Sequence, residues 1–148
     1  MAYTGAWQLT VKIVYAANAD NIYAIDPRDS TQKTSPGLYA VNISNGKIAW
    51  NSATPECTQN KNCIQANSAA LLALPDLVLA GTLEGYIRAC DSKNGTVLWE
   101  FDTIKDYETT NGITGKGCSI DGPSPVVSDN MLFVHSGMKC LVSCRVMY

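Results

Sequence analysis

A glycine-rich stretch, NGITGKGCSIDGPSP at residues 111–125, holds side chains suited to binding a ligand. Lys116, Ser119 and Asp121 offer a cation, a hydroxyl and a carboxylate close together in the chain. A phosphate-binding loop is excluded, because G-x4-G-K-[ST] would require glycine and a hydroxyl residue where Thr110 and Gly117 stand. The stretch therefore predicts either a site for an ion, cofactor or substrate, or a solvated loop whose glycines serve only turns.

The cysteines are the second group with chemical potential. Cys57 and Cys63 flank the polar segment TQNKN, and a short loop can bring two Cα atoms to the ~5.5 Å that a disulfide needs. Half of a zinc site is the alternative, but no second ligand pair exists, since His135 is the only histidine. We predict a Cys57–Cys63 disulfide and no metal site. Cys90 is expected to be a buried apolar residue, and Cys118 has no base nearby in sequence that would make it a nucleophile.

An internal repeat must position these groups. LYAVNISNGKIAW, at residues 38–50, aligns without a gap with residues 87–99 at a constant offset of 49 residues. Short runs rich in Val, Ile, Leu and Tyr between turn residues predict β-strands throughout. Asn45-Gly46 and Asn94-Gly95 predict two-residue type I′ turns, so that each copy is a hairpin ending in Trp50 or Trp99.

Sheet units that recur about every 40 to 50 residues are typical of a β-propeller. One small sheet has two apolar faces and buries both only by stacking against neighbouring copies. We predict an all-β fold of two to three four-stranded antiparallel blades in an incomplete ring. Trp50 and Trp99 are expected to pack between blades. The expected limits are a boundary region with the first strand at 1–21, blades within 22–137 (about 22–56, 68–102 and a partial 124–137), and a tail at 138–148.

Charge and hydropathy exclude two classes of function. The formal net charge of −2 provides no basic surface for phosphates, so nucleic-acid binding is not expected. The longest apolar runs, near Ala69–Leu74 and Leu77–Gly81, are far too short to span a bilayer, so no membrane span is expected. Met1–Tyr15 lacks the charged start and apolar middle of a signal peptide.

The repeats resemble those of the propellers related to pyrroloquinoline quinone (PQQ) enzymes, whose blades end in a similar Asp-x-x-Asn-Gly-Lys-x-x-Trp pattern. The stretch from GTLEGYIRACDSKNGTVLWEF to LFVHSG also resembles the C-terminal blades of polyvinyl-alcohol-dehydrogenase-like quinohaemoproteins. The resemblance implies a quinoprotein alcohol dehydrogenase-like fold. In a full-length relative it implies a periplasmic or secreted oxidoreductase that oxidises a small alcohol or a polymer with PQQ and, in some members, calcium. Lys116, Ser119 and Asp121 would then be the cofactor-binding candidates.

The chain departs from that family in ways that predict a fragment. The family's rings resemble eight-bladed propellers, and neither CxxCH for a c-type haem nor adjacent cysteines occurs here. Residues 138–148 lack strand alternation. Back-translation in a shifted frame gives YEMFGQLPGNV, which resembles the family's continuation, so this tail is interpreted as a frameshift product. The expected partners are missing blades of the same chain or other copies.

Three functions follow from this interpretation. The first is a remnant of a PQQ-dependent alcohol dehydrogenase that is inactive alone. The second is a non-catalytic PQQ-like propeller that binds protein partners as a scaffold. The third is a small blade module that closes its ring by oligomerising.

Overall fold

The computed structural model describes residues 7–9, 12–20, 31, 33–54 and 64–137. These residues form β-strands and connections, with no helix among them. The strands are β1 (Trp7–Leu9), β2 (Ile13–Asn18), β3 (Gly37–Asn42), β4 (Ile48–Ala53), β5 (Leu72–Ala73), β6 (Leu77–Gly81), β7 (Tyr86–Asp91), β8 (Val97–Asp102), β9 (Asp106–Glu108), β10 (Thr114–Lys116), β11 (Val126–Ser128) and β12 (Met131–Phe133).

Two four-stranded antiparallel meanders dominate the molecule. The first sheet has the order β1-β2-β3-β4 and the second β5-β6-β7-β8, while β9–β10 and β11–β12 form two-stranded sheets. The 49-residue offset is preserved in detail, because the register shifts between Ala40 and Val41 in the first sheet and between Ala89 and Cys90 in the second. The prediction of an all-β fold of antiparallel sheets is confirmed.

The turns inside the two repeats are not the predicted type I′ turns. Gly46 and Gly95 have positive φ, but neither Asn45 nor Asn94 does. The Asn42 amide bonds the carbonyl of Lys47 and the Gly46 amide bonds that of Asn42, so the loop spans four residues. The reason is that Asn42 Oδ1 accepts the Ser44 amide at 2.9 Å, which favours the longer turn.

A two-residue turn with positive φ at both positions occurs elsewhere. Asp129 (φ 49°) and Asn130 (φ 62°) join β11 to β12, whose last pair is Ser128 with Met131. This is the backbone geometry of a type I′ hairpin, and both residue types tolerate it.

The first sheet includes strands within residues 1–21, the region expected to hold the first strand. The predicted limits of the blades stay a prediction. β2 (Ile13–Asn18) pairs along its whole length with β3, and β1 pairs with β2. The apolar run Ile13–Ala17 supplies this strand, with Tyr15, Ala16 and Ala17 buried. The strand expected at Ile22–Ile25 and the tail 138–148 lie outside the described residues.

The two central strands of the second sheet, β6 and β7, are buried on both faces. Along β6, Val78 and Ala80 point to the first sheet and Leu79 to the other side, as the two-residue period of a strand requires. One core cluster joins the two large sheets, and it contains Tyr15, Ala17, Leu38, Ala40, Leu71, Val78, Ala80 and Cys90. The second contains Ala69, Leu79, Ile87, Ala89 and Ile120, with Leu132 and Val134 packed against it. Each fully buried Leu, Ile or Val stabilises the stack by about 1.5–3 kcal/mol.

The described part of the chain includes no helix of the length and apolarity that crossing a bilayer would require.

Candidate functional site

The connection after β8 has an exposed half and a buried half. β9 and β10 form a hairpin on the surface, whereas residues 117–120 are all buried. Gly117 is required by close approach, since a Cβ there would lie 1.8 Å from the carbonyl oxygen of Thr103. Residues 117–120 therefore form a buried segment between the second sheet and β11–β12, called the strap below. This part of the glycine-rich stretch is not the solvated loop that was the alternative to a binding site.

Hydroxyl groups tie this strap to its neighbours. The Thr103 hydroxyl donates to the carbonyl of Gly85 at 2.7 Å and lies 2.7 Å from the hydroxyl of Ser136. Ser136 Oγ in turn accepts the Cys118 amide at 2.9 Å. The Ile120 amide donates to the carbonyl of Thr82 at 3.0 Å. The strap is thus held by bonds to the β6–β7 turn on one side and to the segment after β12 on the other.

The three predicted ligand residues face different surroundings. Lys116 is exposed at the end of β10, and Ser119 is buried with 2% exposure. Asp121 Oδ1 accepts hydrogen bonds from the Ser68 hydroxyl at 2.7 Å and from the Gly122 amide at 2.9 Å. Their role in binding a cofactor stays a prediction. The described geometry gives Asp121 a structural partner in the connection before β5.

The cysteines separate into two groups. Cys90 is a free thiol, buried in the cluster between the large sheets, and its burial raises the pKa of the thiol. Cys118 is bonded in a disulfide. Its partner is not among the described residues, since Cys90 is free. The predicted Cys57–Cys63 pair also lies outside the described residues and stays a prediction. His135 is exposed.

Glu84, in the turn between β6 and β7, is a candidate that no sequence pattern indicated. Both carboxylate oxygens are buried and have no hydrogen-bond partner among the described residues. Burial raises the pKa of this carboxyl group above its usual value. The backbone of Glu84 itself, the Thr82 hydroxyl and the Arg88 charge oppose the shift only in part. A buried carboxylate of this kind can hold a proton or offer oxygens to a cation.

Polar side chains accompany Glu84 on this edge of the second sheet. Asn67 is 3% exposed and donates from Nδ2 to the carbonyl of Gly81 at 3.3 Å, and its Oδ1 is bonded by the Thr54 hydroxyl. Thr82 is completely buried and accepts the Tyr86 amide at 3.1 Å. Glu84 therefore lies in a region where the other buried polar groups have partners.

Trp50 lies between the two large sheets. Its indole Nε1 donates to the carbonyl of Ser92 at 3.1 Å, and the same carbonyl accepts the hydroxyl of Tyr15 at 3.0 Å. The ring covers Gly95, where a Cβ would lie 2.4 Å from Trp50 Cε3. The tryptophan of the first sheet thus packs on the hairpin turn of the second sheet.

Trp99 occupies the corresponding position in the second sheet and lines an open groove of about 520 Å³. Its ring is 45% exposed and stacks on Phe101 with centroids 6.1 Å apart. The apolar side chains of the groove are Ile87, Trp99, Phe101, Tyr107, Leu132 and Val134, and Lys116 also lines it. Among the described residues, nothing covers Trp99 as the second sheet covers Trp50.

Repeated four-stranded antiparallel sheets, stacked face to face through a tryptophan, define this chain as a β-propeller repeat protein. A family model described as "Outer membrane protein assembly factor BamB" matches residues 6–143. The chain therefore belongs to the PQQ-like β-propeller repeat family.

Named relatives lie among alcohol dehydrogenases. A polyvinylalcohol dehydrogenase of Pseudomonas sp is 37% identical over 132 residues, which covers 86% of this chain and 21% of the relative. A lanthanide-dependent methanol dehydrogenase of Methylorubrum extorquens is 30% identical over 94 residues, covering 64% of this chain and 11% of the relative. The quinohemoprotein alcohol dehydrogenase of Comamonas testosteroni superposes with a TM-score of 0.59 at 15% identity, covering 92% of this chain and 17% of that structure.

These comparisons confirm the predicted relation to quinoprotein alcohol dehydrogenase propellers. The chain spans about a fifth of the length of the polyvinylalcohol dehydrogenase that it matches.

The described residues do not make a complete site for PQQ and a metal ion. They include no group of three or more His, Cys, Asp or Glu side chains that could hold a metal. A hard cation such as Ca²⁺ takes about six to eight oxygen ligands, of which Glu84 supplies at most its two carboxylate oxygens. Lys116 lines the groove beside Trp99, and Glu84 does not. A full site would need groups from outside the described residues.

Proposed function

We propose that this chain forms part of the propeller of a PQQ-dependent alcohol dehydrogenase-like enzyme and is inactive alone. The observation that carries the proposal is the 37% identity to polyvinylalcohol dehydrogenase over 86% of the chain, combined with coverage of only 21% of that enzyme. The incomplete set of ligand groups supports inactivity of the isolated chain.

Within such an enzyme the chain would contribute one section of the ring and the carboxylate of Glu84. The β6–β7 turn that carries Glu84 is fixed by two hydrogen bonds. The carbonyl of Gly85 accepts one from the Thr103 hydroxyl, and the carbonyl of Thr82 accepts one from the Ile120 amide of the strap. Because these hydrogen bonds hold the turn, the Glu84 carboxylate has a fixed position. Glu84 would hold a proton or donate oxygens to a cation that neighbouring blades complete.

The remaining features of the proposal concern the whole protein. Its substrate would be a small alcohol or a hydroxylated polymer, its cofactor PQQ with a hard cation, and its location periplasmic or extracellular. Its partners would be further blades, from the same chain or from other copies. The disulfide at Cys118 supports an oxidising compartment.

A chimera tests the proposal directly. In the Pseudomonas polyvinylalcohol dehydrogenase, the 132-residue matching stretch is replaced by that of this chain, and oxidation of polyvinyl alcohol is followed by dye reduction in the presence of PQQ and calcium. We expect an active chimera and no activity from the isolated chain. A chimera that folds, as judged by circular dichroism and cooperative unfolding, yet oxidises no alcohol would overturn the proposal.

Glu84 is tested in the same chimera. Glu84→Gln removes the charge at constant size, and Glu108→Gln is the matched control because Glu108 is exposed on β9. We expect the first substitution to lower the turnover number about 10²-fold and the second to leave it unchanged. Equal activities of the two variants would remove Glu84 from the function.

A scaffold function is the second candidate, and the family model that matches residues 6–143 favours it. A propeller of this kind would bind protein partners and no quinone. Equilibrium dialysis of PQQ against the folded chimera separates the two candidates: binding supports the dehydrogenase, while a folded chimera without affinity for PQQ supports the scaffold.

A further inference from the structure

The dipeptide Asn-Gly occurs three times in the chain, and each copy lies in a turn. The copies are Asn45-Gly46, Asn94-Gly95 and Asn111-Gly112. The first two join the third and fourth strands of the large sheets, and the third joins β9 to β10. Asparagine is a thermolabile residue, and it loses its side-chain amide most readily before glycine, which has no side chain to shield its backbone nitrogen. The three turns are therefore candidate sites of a covalent modification.

The local geometry of the three turns is nearly the same. The glycines have φ values of 68°, 76° and 77° in chain order. Each glycine amide donates to a carbonyl earlier in the turn, at 2.9, 2.9 and 3.0 Å. Each asparagine Oδ1 accepts the amide two residues later, at 2.9, 2.8 and 3.2 Å. The conformation of the turn thus does not distinguish the copy in the second sheet from the other two.

The cover over the glycine does distinguish them. A Cβ at Gly95 would lie 2.4 Å from Trp50 Cε3, so the indole ring lies directly on this turn. The ring is held there because its Nε1 donates to the carbonyl of Ser92 at 3.1 Å. A Cβ at Gly46 or Gly112 would meet nothing within 4 Å among the described residues. Gly95 is accordingly buried, whereas Gly46 and Gly112 are exposed.

The loss of the amide depends on the backbone nitrogen of the glycine. This nitrogen attacks Cγ of the asparagine, the new C–N bond closes a five-membered succinimide, and the side-chain nitrogen leaves as ammonia. Water then opens the ring at either carbonyl and leaves aspartate or isoaspartate. In the folded chain the glycine amide must first leave its hydrogen bond, so the turn must open locally. At Gly95 that opening must also displace the ring of Trp50.

We propose that Asn45 and Asn111 are sites of spontaneous deamidation and that the Trp50 ring protects Asn94. Each conversion adds one negative charge to a chain whose formal net charge is −2. Isoaspartate also lengthens the backbone of the turn by one methylene group. The inference goes beyond the proposed dehydrogenase relation and does not depend on it, because it concerns only the turns of this chain.

Incubation of the full chain at mildly alkaline pH tests the proposal. Trypsin places the three asparagines in different peptides, because Lys47 and Lys105 lie between them. Mass spectrometry follows the change from amide to acid in each peptide, and a sample digested without incubation gives the background. We expect conversion at Asn45 and Asn111 to be at least ~10-fold faster than at Asn94, because uncovering Gly95 requires the loss of a buried aromatic contact.

Two tryptophan variants test the cause of the protection. Trp50→Ala removes the cover, and Trp99→Ala is the matched control, because Trp99 has the equivalent position in the second sheet and covers none of the three glycines. We expect Asn94 to convert at least ~10-fold faster in Trp50→Ala, since its turn then opens without displacing a ring, and at the parent rate in Trp99→Ala. Asn45 and Asn111 should keep their rates in both folded variants.

The parent chain unfolded in urea gives the reference rate for each dipeptide. Dividing each folded rate by this reference compares the three sites without requiring any variant to fold. The proposal is wrong if Asn94 is protected no more than Asn45 and Asn111 in the folded parent. It is equally wrong if Asn45 and Asn111 stay at the background while the unfolded chain converts, or if Asn94 stays protected in folded Trp50→Ala.

Discussion

Trp50 and Trp99 are the same residue of the same repeat in two different environments. Each is the third residue of the fourth strand of a four-stranded sheet, opposite an alanine of the third strand. Trp50 donates its N–H to Ser92 and packs on the core cluster between the sheets, whereas Trp99 is 45% exposed beside a groove. The repeat therefore supplies the tryptophan, and the next sheet must supply the glycine turn and the carbonyl that contact it.

The glycines of the two turns also have different surroundings. Gly46 and Gly95 have nearly equal positive φ, at 68° and 76°. A Cβ at Gly95 would strike the ring of Trp50, while a Cβ at Gly46 would meet nothing within 4 Å. The turn of the first sheet therefore has the shape that receives a tryptophan, without one over it among the described residues.

The largest difference is expected from truncating the two tryptophans. Trp50→Ala should lower the free energy of unfolding by about 3 kcal/mol or more, because it leaves a cavity between the sheets and removes one of the two hydrogen bonds to the carbonyl of Ser92. Trp99→Ala should lower it by only about 1 kcal/mol, mainly through the lost stacking on Phe101. Urea unfolding of both variants measures the difference, and equal losses would show that the interface at Trp50 does not hold the sheets together.

Comparing Gly95→Ala with Gly46→Ala separates the cost of a steric clash from the cost of backbone strain. Both substitutions strain a positive φ at a cost of about 1 kcal/mol. Only Gly95→Ala also forces a methyl group into Trp50, which adds about 1–3 kcal/mol. Thermal unfolding midpoints should therefore fall further for Gly95→Ala, and in a Trp50→Ala background the two substitutions should become equivalent.

Asn42→Ala and Asp91→Ala should lower the free energy of unfolding by similar amounts, unlike the tryptophan and glycine pairs. Asn42 Oδ1 accepts the Ser44 amide at 2.9 Å, and Asp91 Oδ1 accepts the Lys93 amide at 2.7 Å. Each loss should cost about 0.5–1.5 kcal/mol, because the interaction lies within one turn. Unfolding free energies that differ by more than the cost of one such bond would show that the neighbouring sheet acts on these turns too.

The smallest effect on stability is expected at Glu84. The equivalent position in the first copy of the repeat is the exposed Ser35. Burial raises the folded pKa of Glu84 above its value of 4.5 in the unfolded chain. The protonated form is thus favoured by folding, so its contribution to stability is present below pH 4.5 and is lost as the pH rises through the folded pKa. Glu84→Gln should stabilise the chain at pH 7 and abolish this loss.

The control for that measurement is Glu108→Gln, whose carboxylate is exposed. Stability curves from pH 4 to pH 8 should show the two variants diverging from about pH 4.5 upwards and reaching a constant separation above the folded pKa of Glu84. A Glu84→Gln variant that is less stable than the parent at pH 7 would mean that the ionised carboxylate has a stabilising partner.

Sequence reasoning located the repeated strands well and the turns less well. The expected strand Leu38–Val41 became Gly37–Asn42, and Tyr86–Cys90 became Tyr86–Asp91. Apolar alternation fixes such strands because a buried face selects one register. The prediction of type I′ turns was wrong because the Asn42 side chain competes for backbone amides. The dipeptide Asn-Gly does not reveal this effect.

The candidate site was less predictable from the sequence. Lys116, Ser119 and Asp121 are near one another in sequence, but Ser119 is buried while Lys116 is exposed. Glu84 was missed because Glu-Gly in a turn normally predicts a solvated side chain. Its burial is produced by the fold around the β6–β7 turn, where the Leu83 amide bonds the carbonyl of Ala66.

The strands, the 49-residue repeat and the all-β class could be read from the sequence, because they depend on side-chain alternation and turn residues within a few positions. Packing between the sheets sets the hydrogen bond of Trp50, the exposure of Trp99 and the burial of residues 117–120. It also leaves the Glu84 carboxylate without a described hydrogen-bond partner. The physical reason is that burial and hydrogen bonding are supplied by the neighbouring sheet, which identical local sequences either have or lack.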